Sequence, residues 1–346
     1  MSRLTVRTLR PADLDAAAAI LAAAHARART AGPAGLSLGE RFLSMPACRA
    51  LLEKIVSSPR ATSVVVESGG RVRGYLAGER QLFAPEDFAS IYAEPRSAAV
   101  LLQGHAVAAD IDAGAAYEAM YARVAEEWVA AGFFAHNVSV SALDRAAMDA
   151  WVNLGFGRKS VCAVRPTAEV VPDPTPLADI SIEEIRGRDD EVLDTFHRRL
   201  MMFQTGPPMF WPYTGEADAK VRSVRRDAML GGQGFAYVAR LGDEPLGSLL
   251  FVPAVFLSPL LVCERMVYLW EGFVDETRRA AGVGSMLLAH AMSELRARGI
   301  DWCALHYVSG NPRGGRFWPS KGFVAVEATL HRRVDERVAW AKGTPS

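Results

Sequence analysis

"EGFVDETRRAAGVGSMLL", residues 271–288, passes from an apolar run, through a loop with two arginines and two glycines, into an amphipathic helix. The residues just upstream complete "RMVYLWEGFV", which reads as a strand, so the order is strand, short loop, helix. Glycine weakens a helix start unless the backbone itself has a task there. Such a loop aims bare N–H groups and the positive end of the helix at whatever lies beyond it. The stretch therefore predicts an anion cradle at the head of a helix.

The rest of the chain bounds what that cradle serves. With 346 residues, half of them hydrophobic and 23% charged, the chain has material for two cores. Its formal net charge is zero and no dense Lys/Arg block occurs, so no nucleic-acid partner is expected. Cys48, Cys162, Cys263 and Cys303 are scattered, with no C-x-x-C pair and no zinc-ligand spacing. They read as small hydrophobes, and no metal is expected. The N-terminus "MSRLTVRTLRPADLD" lacks an apolar signal core, and "FVPAVFLSPLLV" (251–262) is too short and proline-broken to span a bilayer. A soluble, cytoplasmic protein with no membrane partner is the expectation.

The chain also repeats itself. "PTAEVVPDPTPLA" (166–178), with four prolines and no hydrophobic period, reads as a semi-extended linker. On each side comes a short strand feeding a helix, then a hairpin-like pair (63–78 and 235–251, Gly74 answering Gly247), then a helix, a strand and a short aromatic helix. The final parts align without a gap at an offset of 167. Gly132 matches Gly299, Trp151 matches Trp318, and "LGF" at 154–156 matches "KGF" at 321–323. Several matches in one register, with the same element order, indicate a duplication. The copies part at the opening loop, where Asp112, Ala115 and Tyr117 stand at the positions of Arg279, Gly282 and Gly284. The fold does not need the glycines, so something that only the second copy does needs them.

No G-x-x-x-x-G-K-[ST] string occurs, and the order R-x-x-G-x-G differs from the dinucleotide fingerprint G-x-G-x-x-G. R-x-x-G-x-G after a strand and before a long helix resembles the pyrophosphate loop of the GNAT N-acetyltransferase superfamily. "EGFVDETRRAAGVGSMLL" looks like that family's fourth strand, loop and third helix. "CALHYVSGN" (303–311) looks like its fifth strand, splayed from the fourth, and "NPRGGRFWPSKGF" (311–323) like its closing segment. The resemblance covers residues 180–335 well and 1–165 as a degraded copy. It implies a mixed α/β (α+β) fold of two GNAT-like domains, each a central, mostly antiparallel, splayed sheet flanked by helices. The boundaries would be 1–165 for a degenerate domain, 166–178 for the linker and 179–346 for the acetyl-CoA-binding, catalytic domain.

By the same resemblance coenzyme A is the cofactor, delivered as acetyl-CoA. Its pyrophosphate would lie against Arg279, Ala280, Ala281, Gly282, Val283, Gly284 and Ser285, with Arg279 adding a charge-assisted contact. A backbone N–H near Phe273 or Val274 would meet the thioester carbonyl. Asn311 would touch the pantetheine arm or cap the last helix.

Acetyl transfer to an amine needs a neutral amine, a stabilised oxyanion and a proton for the leaving thiolate. Glu271, flanked by Trp270 and Phe273, is expected to be partly desolvated, which suits a base acting through water. An anchor for the acceptor's ammonium, or a structural carboxylate paired to an arginine, are its other readings. Trp318 departs from the family pattern, because the resemblance places a thiolate-protonating tyrosine there and an indole cannot give up its proton usefully. Tyr307, with Ser309 nearby, is the replacement candidate. "MMFQTGPPMFWPYTGE" (201–216) is too aromatic for a solvated loop, so Phe210, Trp211 and Tyr213 are the acceptor-binding candidates, or a plug between domains. His197, His290 and His306 show no partner in the sequence.

The leading expectation is an acetyl-CoA-dependent N-acetyltransferase acting on a small-molecule amine from its C-terminal domain. The first domain would be scaffold, wall of the acceptor cleft or homodimer contact. The alternative, supported by Trp318, is a non-catalytic acyl-CoA-binding or regulatory protein.

Overall fold

A computed structural model describes residues 3–172, 179–188, 190–278 and 282–341. The first half runs β1 (Thr5–Thr8), α1 (Leu14–Ala31), α2 (Met45–Val56), β2 (Ala61–Ser68), β3 (Arg71–Leu82), β4 (Arg96–Val100) and β5 (His105–Val107). It closes with α3 (Ala113–Ala130), β6 (Ala135–Ser141), α4 (Arg145–Asn153) and β7 (Gly157–Pro166). The second half runs β8 (Ile180–Arg186), α5 (Glu191–Thr205), α6 (Gly215–Leu230), β9 (Phe235–Leu241), β10 (Glu244–Pro253) and β11 (Met266–Val274). It closes with α7 (Val283–Ala297), β12 (Trp302–Val308), α8 (Pro312–Ser320) and β13 (Val324–Arg333).

The internal repeat is carried into three dimensions. β6, α4 and β7 recur 167 residues later as β12, α8 and β13, with the same first and last positions. The matched glycines share the left-handed backbone that an L side chain resists: φ is 78° and 73° at Gly132 and Gly299, and 84° at both Gly155 and Gly322. The copies therefore keep the same turns because the same backbone must be made twice.

All strands join one mixed, mostly antiparallel sheet in the order β1-β2-β3-β4-β6-β13-β7-β12-β11-β10-β9-β8, with β5 pairing β3. The parallel pairs in it are β4–β6 and, equivalently, β11–β12. The centre of the sheet holds an exchange. β7 of the first half pairs β12 of the second, from Pro166↔Trp302 to Ser160↔Val308. β13 of the second half pairs β6 of the first, from Ala135↔Arg333 to Ser141↔Glu327. β7 and β13 then pair with each other. Each half thus lends its last strand to the other half's sheet.

The proline-rich segment between the halves is anchored through its described part. Thr167 N–H donates to the Asp301 carbonyl at 2.8 Å, and Val171 is buried in the core under α7. Arg165, fully buried, donates to the carbonyls of Lys321 and Glu169. Residues 173–178 of the expected linker lie outside the described residues. The core is shared as well, since Leu21, Phe42 and Leu52 join one apolar cluster with Leu257, Leu261 and Tyr268. Among the described residues no helix is long and apolar enough to cross a membrane, and no cluster of His, Cys, Asp and Glu is arranged to hold a metal ion.

Candidate active site

The parallel pairing of β11 and β12 runs from Met266↔Trp302 to Leu269↔Leu305 and stops there. Beyond it the two strands diverge and leave a gap. At the same point the register of β10 against β11 shifts, so that Leu250 faces Glu271 and Phe251 faces Leu269. Trp270 is the extra residue of a β-bulge, and a bulge turns two successive side chains to one face. Trp270 and Phe273 accordingly pack with Phe196 and Leu193 of α5, and Glu271 also reaches α5. Gly272 turns the other way, toward α8. A Cβ there would stand 3.1 Å from Leu249 Cδ2 and 3.2 Å from Trp318 Cη2, so the indole lies directly on the bare backbone.

The edge groups of β11 follow from its ladder. Asp275 N–H donates to the Leu246 carbonyl at 2.8 Å. Antiparallel alternation then directs the N–H groups of Phe273 and Glu271 to β10 as well, and those of Val274 and Gly272 to the opposite edge, toward the gap. Of the two donors expected from the sequence, Val274 faces the gap and Phe273 faces β10. Gly272 is the further donor on that edge.

A cleft of about 350 Å³ opens over the gap, lined by Glu271, Gly272, Tyr307, Asn311, Trp318 and Trp211 among others. Glu271 Oε1 lies 2.7 Å from His197 Nδ1, an ion pair when the imidazole is protonated. His197 is buried on α5 because Leu193, Phe196 and His197 share its inward face. Its Nε2 lies 3.4 Å from Asp218 Oδ1 on α6, and the same oxygen accepts from the Tyr213 hydroxyl at 2.6 Å. Arg222 holds the other Asp218 oxygen at 3.0 Å. Burial pulls the His197 pKa down, but the charge and hydrogen bond of Glu271, with Asp218 behind, outweigh it and leave it raised. The result is a carboxylate–imidazole–carboxylate line leading away from the cleft floor. The sequence offered only the helical phase of His197 as a signal for it.

The remaining candidates separate by face. Tyr307 lines the cleft from β12 and packs with Phe317 and Trp318 on the α7–α8 side; burial raises its pKa. His306, next to it on β12, turns to the opposite face, bonds the Tyr268 hydroxyl at 2.9 Å and is pushed down to about 4 by burial. Asn311 caps α8, accepting from Arg313 and Gly314 N–H, and still borders the cleft. Residues 201–205 continue α5, so the aromatic loop is shorter than the sequence suggested. Within it Trp211 lines the cleft, Phe210 is 72% exposed beside an adjoining cavity, and Tyr213 lies behind His197 instead of in the wall.

At the loop itself, Gly282 has φ 88° and caps α7, and Val283 and Ser285 are buried behind it. Arg279, Ala280 and Ala281 lie outside the described residues. A Cβ on Gly284 would stand 3.4 Å from Phe317 and 3.5 Å from Val274, beside the gap. In the first half the equivalent space is filled. Tyr117, at the position of Gly284, and Trp151, at the position of Trp318, are buried with ring centroids 5.4 Å apart, joined by His105, Tyr121 and Phe156.

This geometry, a bulged strand splayed from its parallel neighbour ahead of a glycine-capped helix, can be set against known proteins. Residues 202–323 match the model of the acetyltransferase (GNAT) family. The C-terminal half carries a GNAT domain. The whole chain is similar in structure to a GCN5-related N-acetyltransferase from Sphaerobacter thermophilus, at 14% identity and a TM-score of 0.56, covering 95% of each chain. It is also similar to the glucosamine N-acetyltransferase region of a fungal multi-domain GH3 β-N-acetylglucosaminidase. There identity is 14% and the TM-score 0.53, over 96% of this chain and 38% of that one. These likenesses establish the GNAT fold beyond the matched segment. Comparison with curated proteins gave no match.

Proposed function

We propose that the protein is a cytoplasmic, acetyl-CoA-dependent N-acetyltransferase of a small-molecule amine, with cofactor site and chemistry in the GNAT domain. The observation that carries the reading is the arrangement around Gly272: a bare residue with its N–H toward the gap, between Glu271 and Trp318. The fit to a coenzyme rests on that gap and on Gly282, whose left-handed backbone opens α7 at the head of the loop. Acetyl-CoA supplies the activated acetyl group.

The chain's own groups then have distinct tasks. The Gly272 N–H faces the site where carbonyl charge develops. Glu271 receives the proton of the incoming ammonium and passes it to Nδ1 of a neutral His197, 2.7 Å away, whose Nε2–H faces Asp218, itself held by the Tyr213 hydroxyl. Tyr307, on the strand across the gap, lines the cleft with Trp318 and supplies the proton that the leaving thiolate takes.

The test pairs binding with turnover. Acetyl-CoA at a hundredfold excess over its Kd stabilises a protein by about 2.7 kcal/mol, so a clear rise in melting temperature is expected and Arg279→Glu should abolish it. Thiol release across an amine panel then reads the chemistry. Cofactor binding without release from any amine would favour the regulatory reading, for which Trp318 in place of a tyrosine is the supporting observation.

A further inference from the structure

The acceptor side of the cleft is not made by the GNAT domain alone. Between β3 and β4 of the first half, residues Phe88–Ile91 form a short turn of helix that reaches across to the second half. Phe88 stacks on Phe256 at 5.7 Å and meets Trp270 edge-on at 6.0 Å. Ile91 packs with Ala217 and Val221 of α6. Tyr92, which follows, lines the cleft and meets Trp211 edge-on at 6.5 Å. Tyr92 is partly exposed at the rim, and its hydroxyl is within reach of the Trp270 side chain and the Glu271 charge; burial pushes it up to about 12, Trp270 lowering and Glu271 raising it. The half that has lost its own cofactor loop thus places a tyrosine over the other half's site.

The lining also has a chemistry. Tyr92, Trp211, Phe256, Tyr268 and Trp270 make the acceptor side a wall of rings. The charges are few. Lys159, across the cleft, is matched by Glu94 at 3.5 Å, and Asp218 is matched by Arg222, leaving the Glu271–His197 pair at the inner end. With His197 neutral that end holds one uncompensated negative charge, which suits one ammonium. Among the described residues, a polycation would meet no further free carboxylate on the lining.

We propose that the acceptor is a primary amine carried on an aromatic or similarly flat apolar body, and that Tyr92 of the N-terminal half is a specificity-determining wall of its site. The proposal rests on the acetyltransferase reading for its reaction but not for its binding. The acceptor body lies along the Tyr92, Trp211 and Trp270 rings with its ammonium on Glu271, so both halves are needed to form the site.

The experiment measures phenethylamine, spermidine and glucosamine side by side, by calorimetric titration into the protein saturated with coenzyme A and by acetyl-CoA turnover. Phenethylamine is expected to bind at least about tenfold more tightly than the other two, and Tyr92→Ala to weaken it by roughly tenfold. Tyr92→Phe, which keeps the ring, should stay within about twofold of the wild type. Melting temperatures and coenzyme A affinity of both variants report that the fold is intact. Preference for spermidine or glucosamine, or unchanged phenethylamine affinity in folded Tyr92→Ala, overturns the inference. So does a Phe variant as weak as the Ala variant, since the hydroxyl would then be the acting group. Tight phenethylamine binding without acetylation would instead leave the site standing and overturn the acetyltransferase reading.

Discussion

His197 Nδ1 stands 2.7 Å from Glu271 Oε1, tying α5 to the bulged strand β11 across 74 residues of sequence. The contact exists because the bulge at Trp270 swings Glu271 off the α7–α8 face and onto the α5–α6 face. Without it the carboxylate would point at the indole of Trp318.

Replacing Glu271 by Gln keeps the shape and removes the proton acceptor. Turnover should fall by about a hundredfold or more, within the range of lost general-base catalysis. Acetyl-CoA affinity, read by calorimetry, should not change. Wild-type turnover in this variant would take Glu271 out of the chemistry.

The same pair sets a pH dependence with opposite signs for activity and stability. The His197 pKa is raised in the folded protein, burial opposing and Glu271 with Asp218 prevailing. The pair's contribution to stability is full below the ordinary imidazole pKa of about 6.5 and is lost as pH rises through the folded value. Activity needs His197 neutral to accept a proton, so kcat/KM should rise over that window, with an apparent pKa above the ordinary value. A pH–rate profile and melting curves across the window check both signs; a flat profile contradicts the relay.

Gly272 is predicted to tolerate no side chain. A Cβ meets Leu249 and Trp318 at 3.1 and 3.2 Å, and overpacking of this kind costs about 1–3 kcal/mol. Gly272→Ala should lower both stability and kcat. Adding Trp318→Leu should restore part of the loss, with a coupling energy of at least about 0.5 kcal/mol in a double-mutant cycle. Additive losses would mean that the two residues do not share the gap.

Calorimetry should count one coenzyme A per chain. The first half has Tyr117 and Trp151 buried in the equivalent space, at 1% and 0% exposure. A stoichiometry near two would show that those rings move aside.

The GNAT fold was legible where chemistry constrains neighbours in sequence. Glycines at 132, 155, 299 and 322 repeat because each turn needs a left-handed residue, and the 167-residue offset marks β6, α4 and β7 as β12, α8 and β13. Of the residues expected at the candidate site, Glu271, Tyr307 and Trp211 line the cleft. His197 escaped because nothing local distinguishes a buried helical histidine with a distant carboxylate from one without. Tyr92 escaped because it belongs to the half without the R-x-x-G-x-G loop. The strand exchange was invisible for a general reason: β7 and β13 carry the same alternation whichever edge they join, and pattern does not name a partner.

That exchange predicts the behaviour of the separated halves. Residues 179–346 alone would lose β7 from the edge of β12, and residues 1–165 alone would lose β13 from β6. Exposed central strands favour aggregation, so each half should be insoluble alone. The two should recover solubility and copurify when coexpressed. A folded, monomeric C-terminal half would contradict this.

The crossing of β7 and β13 also bears on what the half without the R-x-x-G-x-G loop contributes to the chain. With the terminal strands exchanged, deleting either half would strip a central strand from the other, because each half forms part of the other's interior. The first half, whose equivalent space is filled by Tyr117 and Trp151, is held in the molecule by the strand it lends.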